Sequence, residues 1–286
     1  MVTKKKRVLG CILISLMLFS AGCGEVSETA RIEETEMNQE AENDLLYITE
    51  LDLTTVETEP EYIEVSEIEG NLTIEDGGEY VLSGTTHYTI KIDAHDEIVH
   101  LFLNNLTVET ADGPAIEVIS AGKVIITLME ASGNALFDAA YYSNEEMAGA
   151  ISSACDLTIN GPGSLYICGY YKDAVYCKDV FKLLGGSVQF RAKRNGIKGN
   201  DGIVLMPEKL VIESENDGCQ TSNSNKAGKG IIDIQGGEIS VVAGQYGLSA
   251  VSDVYIREGK VYLNSVIADI YTEGKQYIAE GTLNNE

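Results

Sequence analysis

Positive charge is scarce in this chain: 20 Lys and Arg stand against 45 Asp and Glu, for a formal net charge of −25. That balance excludes nucleic acid as a partner, because binding phosphates requires clustered Lys and Arg. An acidic polymer is repelled as well, unless a cation lies between it and the protein. Tryptophan is absent, so any aromatic contact to a ligand falls to the 15 Tyr and 5 Phe. The cysteines show neither CxxC spacing nor a zinc motif. His87, His95 and His100 stand apart from the acidic clusters described below and suggest no catalytic group. The longest apolar run, residues 8–19, falls short of the roughly 20 apolar residues that a bilayer span needs.

What surrounds that run is informative. Lys4, Lys5, Lys6 and Arg7 precede it, and Ser20, Ala21, Gly22 and Cys23 follow, which is the layout of an export signal over residues 1–22. The Cys after Ala-Gly resembles a bacterial lipoprotein signal, with Cys23 as the acylated N-terminus; an ordinary signal peptide is the other reading. The expected location is outside the cytoplasm, lipid-anchored to the membrane and exposed at the cell surface. Loss of the four signal cations lowers the charge to near −29. Residues 23–64 are acidic and without sustained period, so they read as a solvated tether. The apolar group Leu45, Leu46, Tyr47 and Ile48 can nevertheless pack on the domain, expected over residues 65–286.

From Leu72 onward, short β-rich runs alternate with Gly, Asn and Asp turns, and the gaps are too short for crossover helices. Runs beginning at Gly163, Gly186, Glu208, Gly237 and Gly259 superpose at spacings of 23, 22, 29 and 22 residues. Self-similarity at this period is the signature of a solenoid. The strand and turn content makes it all-β, a single-stranded right-handed parallel β-helix of about 22 residues per coil. Insertions are expected at residues 136–149, as a helical turn or lid, and at residues 222–230. Cys219 shares a column with Val175 and Ile197, which favours a buried thiol over a disulfide.

The same period aligns two polar columns: Asp173, Asn195 and Asp217, then Asp179, Asp201 and Asn223. Stacked strands lie about 4.8 Å apart, and carboxylates that close repel unless a cation intervenes. Calcium takes such oxygens as ligands and is the cofactor that the columns suggest. Asp and Asn also form turns and tolerate left-handed backbone without metal, so both readings stand.

Tyr166, Tyr170 and Tyr171 cluster at one bend directly before Lys172. Tyr170 and Tyr171 with Lys172, and Arg194 one coil on, are candidate sugar-binding residues, stacking on a uronic acid ring and neutralising its carboxylate. Packing over a coil corner is the competing account. A lyase would use calcium and a Lys or Arg base, for which Lys172, Arg194 and Lys198 are candidates; salt bridges to neighbouring acids are the simpler use for them.

With these residues in hand, the chain resembles a family of bacterial, mostly clostridial, cell-surface parallel β-helix proteins known as carbohydrate-binding domain-containing proteins. The likeness rests on DGGEYVLSG at residues 76–84, NNLTV at 104–108, GPAI at 113–116, DLTINGPGSL at 156–165 and the turns DAV, NGI and NDG at 173, 195 and 216. The resemblance implies a right-handed β-helix that binds calcium and plant cell-wall polysaccharide, similar in shape to pectate lyases. The chain departs from the family pattern at Lys172, Arg194 and Tyr246, which implies that not every calcium site of the family is present. The expectation is calcium-dependent, non-catalytic binding of an acidic pectin-type polysaccharide or cellulose by a monomer. A calcium-dependent lyase and a structural surface spacer are the alternatives.

Overall fold

The period-two runs of the sequence form parallel strands stacked one above another. In the computed structural model, which describes residues 46–144, 148–225 and 227–284, the described strands fall in two parallel sheets of 17 and nine strands. This is the parallel β-solenoid expected from the repeat. Val175 lies opposite Ile197 and Ile197 opposite Cys219, each 22 residues on. The next step, from Cys219 to Leu248, is 29 because residues 222–230 loop out, and 22 returns between Leu248 and Ile270. The expected export signal and lipidation at Cys23 fall outside the described residues.

Each strand shows why it forms. In Ser187–Ala192, Val188, Phe190 and Ala192 point inward while Ser187, Gln189 and Arg191 face out, as a pleated strand requires. Stacking then sets Phe190, Ile212, Val241 and Leu263 in one inner row. Such rows make one continuous core, and each fully buried Ile, Leu or Phe contributes about 1.5–3 kcal/mol.

The 17-stranded sheet forms two walls because Ile98–Glu109 turns a corner. Its residues 98–103 pair with Lys123–Leu128, and its residues 107–109 pair with Gly133–Phe137. At the bend Asn105 takes φ 57, a left-handed conformation that Asn accepts more readily than most residues. Cys155, Cys168, Cys177 and Cys219 are free, buried thiols, and burial pushes the Cys219 thiol up to about 12. The first insertion departs from expectation. Its described residues 138–144 form bends rather than a helical turn, and the fully buried Tyr142 pins them to the domain.

Of the expected tether, residues 46–64 are described, and they dock on the domain, as its apolar residues Leu46 and Ile48 allowed. From Leu46 the chain lies on the outer surface of one wall, and Glu61–Glu64 joins the sheet beside Gly78–Thr86. Leu46 packs with Val180, Val204, Ile231 and Tyr255. Asp52, 0% exposed, lies between the ammonium groups of Lys123 and Lys182, the latter at 3.0 Å. Asn160 Nδ2 donates to the Asp52 and Thr54 carbonyls at 2.8 Å. Burial alone raises the Asp52 pKa, but hydrogen bonds from Lys123, Thr158 and Thr49 outweigh it and hold the carboxyl well below the ordinary range. The reason for docking is the wall itself, whose lysines need an acid once covered.

Replacing Asp52 with Ala leaves Lys182 buried without a counter-charge. The expected cost is roughly 3–5 kcal/mol, read as a lowered urea midpoint and as protease cleavage within residues 46–58. In the wild type the contribution of Asp52 is present above the unfolded carboxyl pKa of about 4 and fades as pH falls below it. Unchanged unfolding and protease resistance contradict the clamp.

Candidate functional site

The two polar columns stand at the turns flanking strands of the nine-stranded sheet. In the first, each side-chain oxygen accepts the backbone N–H one coil on: Asn195 N to Asp173 Oδ1 at 2.9 Å, Asp217 N to Asn195 Oδ1 at 3.3 Å, and Tyr246 N to Asp217 Oδ1 at 3.2 Å. Asp173 is 0% exposed and is gripped by both ends of the Arg194 guanidinium, Nε lying 2.7 Å from Oδ1. Gln220 Nε2 donates to Asp217 Oδ2 at 2.7 Å. Burial raises the Asp217 pKa, against hydrogen bonds from Tyr246 and Gln220. In the second column, Asp179 is half-buried. Asp201 accepts from Asn223 Nδ2 at 2.6 Å and pairs with the Lys229 ammonium.

Calcium needs six to eight oxygens within about 2.6 Å. Both carboxylate oxygens of Asp173, and both of Asp201, are already taken by protein donors. Among the described residues, no three His, Cys, Asp or Glu side chains stand together. As arranged, the columns do not fit calcium. They fit the turn-forming reading, with Arg194 and Lys229 supplying the positive charge that the stacked acids need.

The aromatic bend is better placed for a ligand. Ser164–Gly169 ends at Gly169, where a Cβ would stand 2.3 Å from the Asp173 carbonyl oxygen, so only glycine lets the chain fold back so tightly. Tyr171 is turned to internal use: its ring stacks on Tyr142 at 4.3 Å and carries the Lys172 ammonium 4.5 Å from its centroid. Tyr170, 50% exposed, lies nearly parallel to Phe137 at 6.4 Å, and Tyr166 packs against the same ring at 5.6 Å. Beside Tyr170 runs a groove of about 560 Å³ lined by Arg191, Lys193, Glu213, Glu215 and Val242.

Of the four expected sugar-binding residues, the structure places Tyr170 in this groove. Tyr171 and Lys172 support the bend. Arg194 is corrected to a structural role, because a desolvated Asp173 carboxylate holds a guanidinium by paired charge-assisted bonds. The hydrogen bond to Asp173 raises the Arg194 pKa further, so Arg194 is no candidate base. Sequence reasoning missed Arg191, Lys193, Glu213 and Glu215. The alternation of Ser187–Ala192, with Phe190 inward and Arg191 outward, was the signal that points to Arg191.

Comparison with known proteins gives a consistent result. A family model described as "Carbohydrate-binding domain-containing protein" matches residues 68–282. A protein of that description from Acetivibrio thermocellus is 28% identical over 229 residues, covering 77% of this chain and 79% of the relative. The solved structure titled "Structure of the polysaccharide lyase-like protein from C. thermocellum, Gadolinium derivative" superposes with a TM-score of 0.73 at 27% identity. The match covers 77% of this chain and 91% of that one.

The Arg194–Asp173 pair has a measurable consequence. Arg194→Gln leaves a fully buried carboxylate without its cation and is expected to cost roughly 3 kcal/mol in urea unfolding. A chelator is expected to leave the wild-type unfolding midpoint in place. A large fall of that midpoint on metal removal overturns the assignment of Arg194 and Lys229 as the resident cations.

Proposed function

Because this chain belongs to the family of carbohydrate-binding domain-containing proteins, we propose that it binds an acidic, pectin-type polysaccharide without turning it over, in the groove beside Tyr170. One observation carries the reading: a half-exposed Tyr ring, two basic side chains and two carboxylates line a single groove. The ring offers an apolar face to a sugar ring. Arg191 and Lys193 match a uronate carboxylate, Arg in a two-pronged geometry. Glu213 and Glu215 accept hydrogen bonds from sugar hydroxyls. Within the groove Arg191 and Lys193 balance Glu213 and Glu215, so the lining carries no net negative charge of its own, and exposed charges beyond about 8 Å are largely screened at physiological salt. Calcium is therefore not needed at this groove. The signal layout of residues 1–23 supports acylation at Cys23 and a location outside the cytoplasm, anchored to the membrane.

A lyase acting on the same polymer is the second reading. Its candidate base is Lys198, a half-buried lysine whose pKa burial lowers, with Asp173 opposing; Lys198 does not line the Tyr170 groove.

Calorimetry of the domain with polygalacturonate in the presence of chelator tests both readings. Saturable binding is expected, weakened about tenfold by Tyr170→Ala and by Arg191→Ala, on the order of 1.4 kcal/mol each. Absorbance of the same samples is expected to stay flat. Wild-type affinity retained in both variants contradicts the groove, and a rising ultraviolet absorbance from unsaturated product moves the lyase ahead.

A further inference from the structure

The groove's aromatic bend stands on a buried acid that the binding reading does not use. Asp138 directly follows Gly133–Phe137 and is almost fully buried. Its Oδ1 accepts the Tyr170 N–H at 2.5 Å. Its Oδ2 accepts the Tyr142 hydroxyl at 2.7 Å and faces the Tyr171 N–H at 3.4 Å. One carboxylate thus ties together the two residues that set the bend and the ring on which Tyr171 stacks.

We propose that Asp138 is a positioning residue of the sugar site, holding the Tyr170–Tyr171 bend in its binding form while ionised and releasing it on taking up a proton. The inference rests on the groove being the sugar site.

The hydrogen-bond inventory shows how. The Tyr142 hydroxyl has one proton and two acceptors within reach, Asp138 Oδ2 and the Gly149 carbonyl at 3.0 Å. With Asp138 ionised, that proton goes to the carboxylate. With Oδ2 protonated, Asp138 donates to the Tyr142 oxygen, and the Tyr142 proton turns to Gly149. Oδ1 still accepts from Tyr170, but the protonated Oδ2 is a weaker acceptor for the Tyr171 N–H, 3.4 Å away, whose hold on the bend is loosened.

The groups bearing on the Asp138 carboxyl are Tyr142 and the Tyr170 and Tyr171 amides, while the Cys168 thiol feels its charge. Asp173 acts on the Tyr142 hydroxyl as well. None of these is a cation, and burial, opposed by those three hydrogen bonds and one from the Asp138 backbone N–H, raises the Asp138 pKa to about 6. The exchange therefore falls in mildly acidic solution, where uronate carboxylates stay ionised. The sign follows: the proton-bound form is favoured in the fold between about pH 4 and 6, so release of the bend grows as pH falls through 6.

The test combines two readouts on the full chain. Amide NMR shifts of Tyr170 and Tyr171 are followed from pH 7.5 to 5, and polygalacturonate affinity is measured at the same points. The two amides are expected to titrate together near pH 6, with affinity falling about fivefold, the effect of one ordinary net hydrogen bond. In Asp138→Asn both changes are expected to vanish, the affinity staying at the low-pH wild-type level. Tyr142→Phe removes a bond that stabilises the carboxylate, so its midpoint is expected to move to higher pH, a shift that a purely structural role does not produce. Amides that do not titrate, or titrate equally in Asp138→Asn, overturn the inference. Amides that titrate while no polymer binds at any pH overturn instead the reading of the groove as the sugar site.

Discussion

In-register stacking is the constraint on which the rest of this structure depends. Whatever stands at one place in a coil stands about 4.8 Å from its counterpart in the next. For apolar side chains the effect is favourable and cumulative, as in the row from Phe190 through Ile212 and Val241 to Leu263. For acids it is costly, since stacked carboxylates withdrawn from water repel and resist ionisation. The molecule meets this cost at three of its buried acids by placing a basic side chain within reach: Arg194 on Asp173, Lys229 on Asp201 and Arg257 on Asp233, the last at 2.7 Å. A chain with far fewer basic than acidic residues commits several of them to this task.

The docked segment 46–54 follows from the same constraint with the sign reversed. On that wall Lys123 and Lys182 face outward under cover, and the acid that balances them comes from Asp52, outside the repeat. Asn160 and Lys182 satisfy the carbonyls of Asp52, Thr54 and Tyr47. The segment is thereby part of the wall's hydrogen bonding and covers apolar side chains such as Val180 and Val204.

Much of this fold was legible in the chain because a solenoid writes its geometry as a period. The 22-residue step, the 29-residue interruption and the column holding Val175, Ile197 and Cys219 are all read by counting. Partner choice within a column was less legible. The spacing puts Asp173, Asn195 and Asp217 together, but counting does not reveal that the residue beside Asn195 turns back onto Asp173. Nor does it reveal the contact between Asp52 and Lys182, which lie 130 positions apart and belong to no repeat. At the bend, composition pointed to three tyrosines, yet only burial separates Tyr170, which faces solvent, from Tyr171, which stacks on Tyr142. Arg191 and Glu213 meet as neighbours on adjacent strands, a pairing that appears once the register is fixed.

Committing Arg194 and Lys229 to buried acids leaves Arg191 and Lys193 as the cations that line the groove with Tyr170. That division between structural and ligand-facing charge is the central claim, and backbone amide NMR of the labelled domain titrated with a short oligogalacturonate tests it most directly. The account predicts shifts concentrated on residues 169–172, Arg191, Lys193 and Glu213, with the amides of Asn195, Asp217 and Tyr246 unmoved. Shifts centred on the two polar columns, with the Tyr170 groove silent, would contradict it.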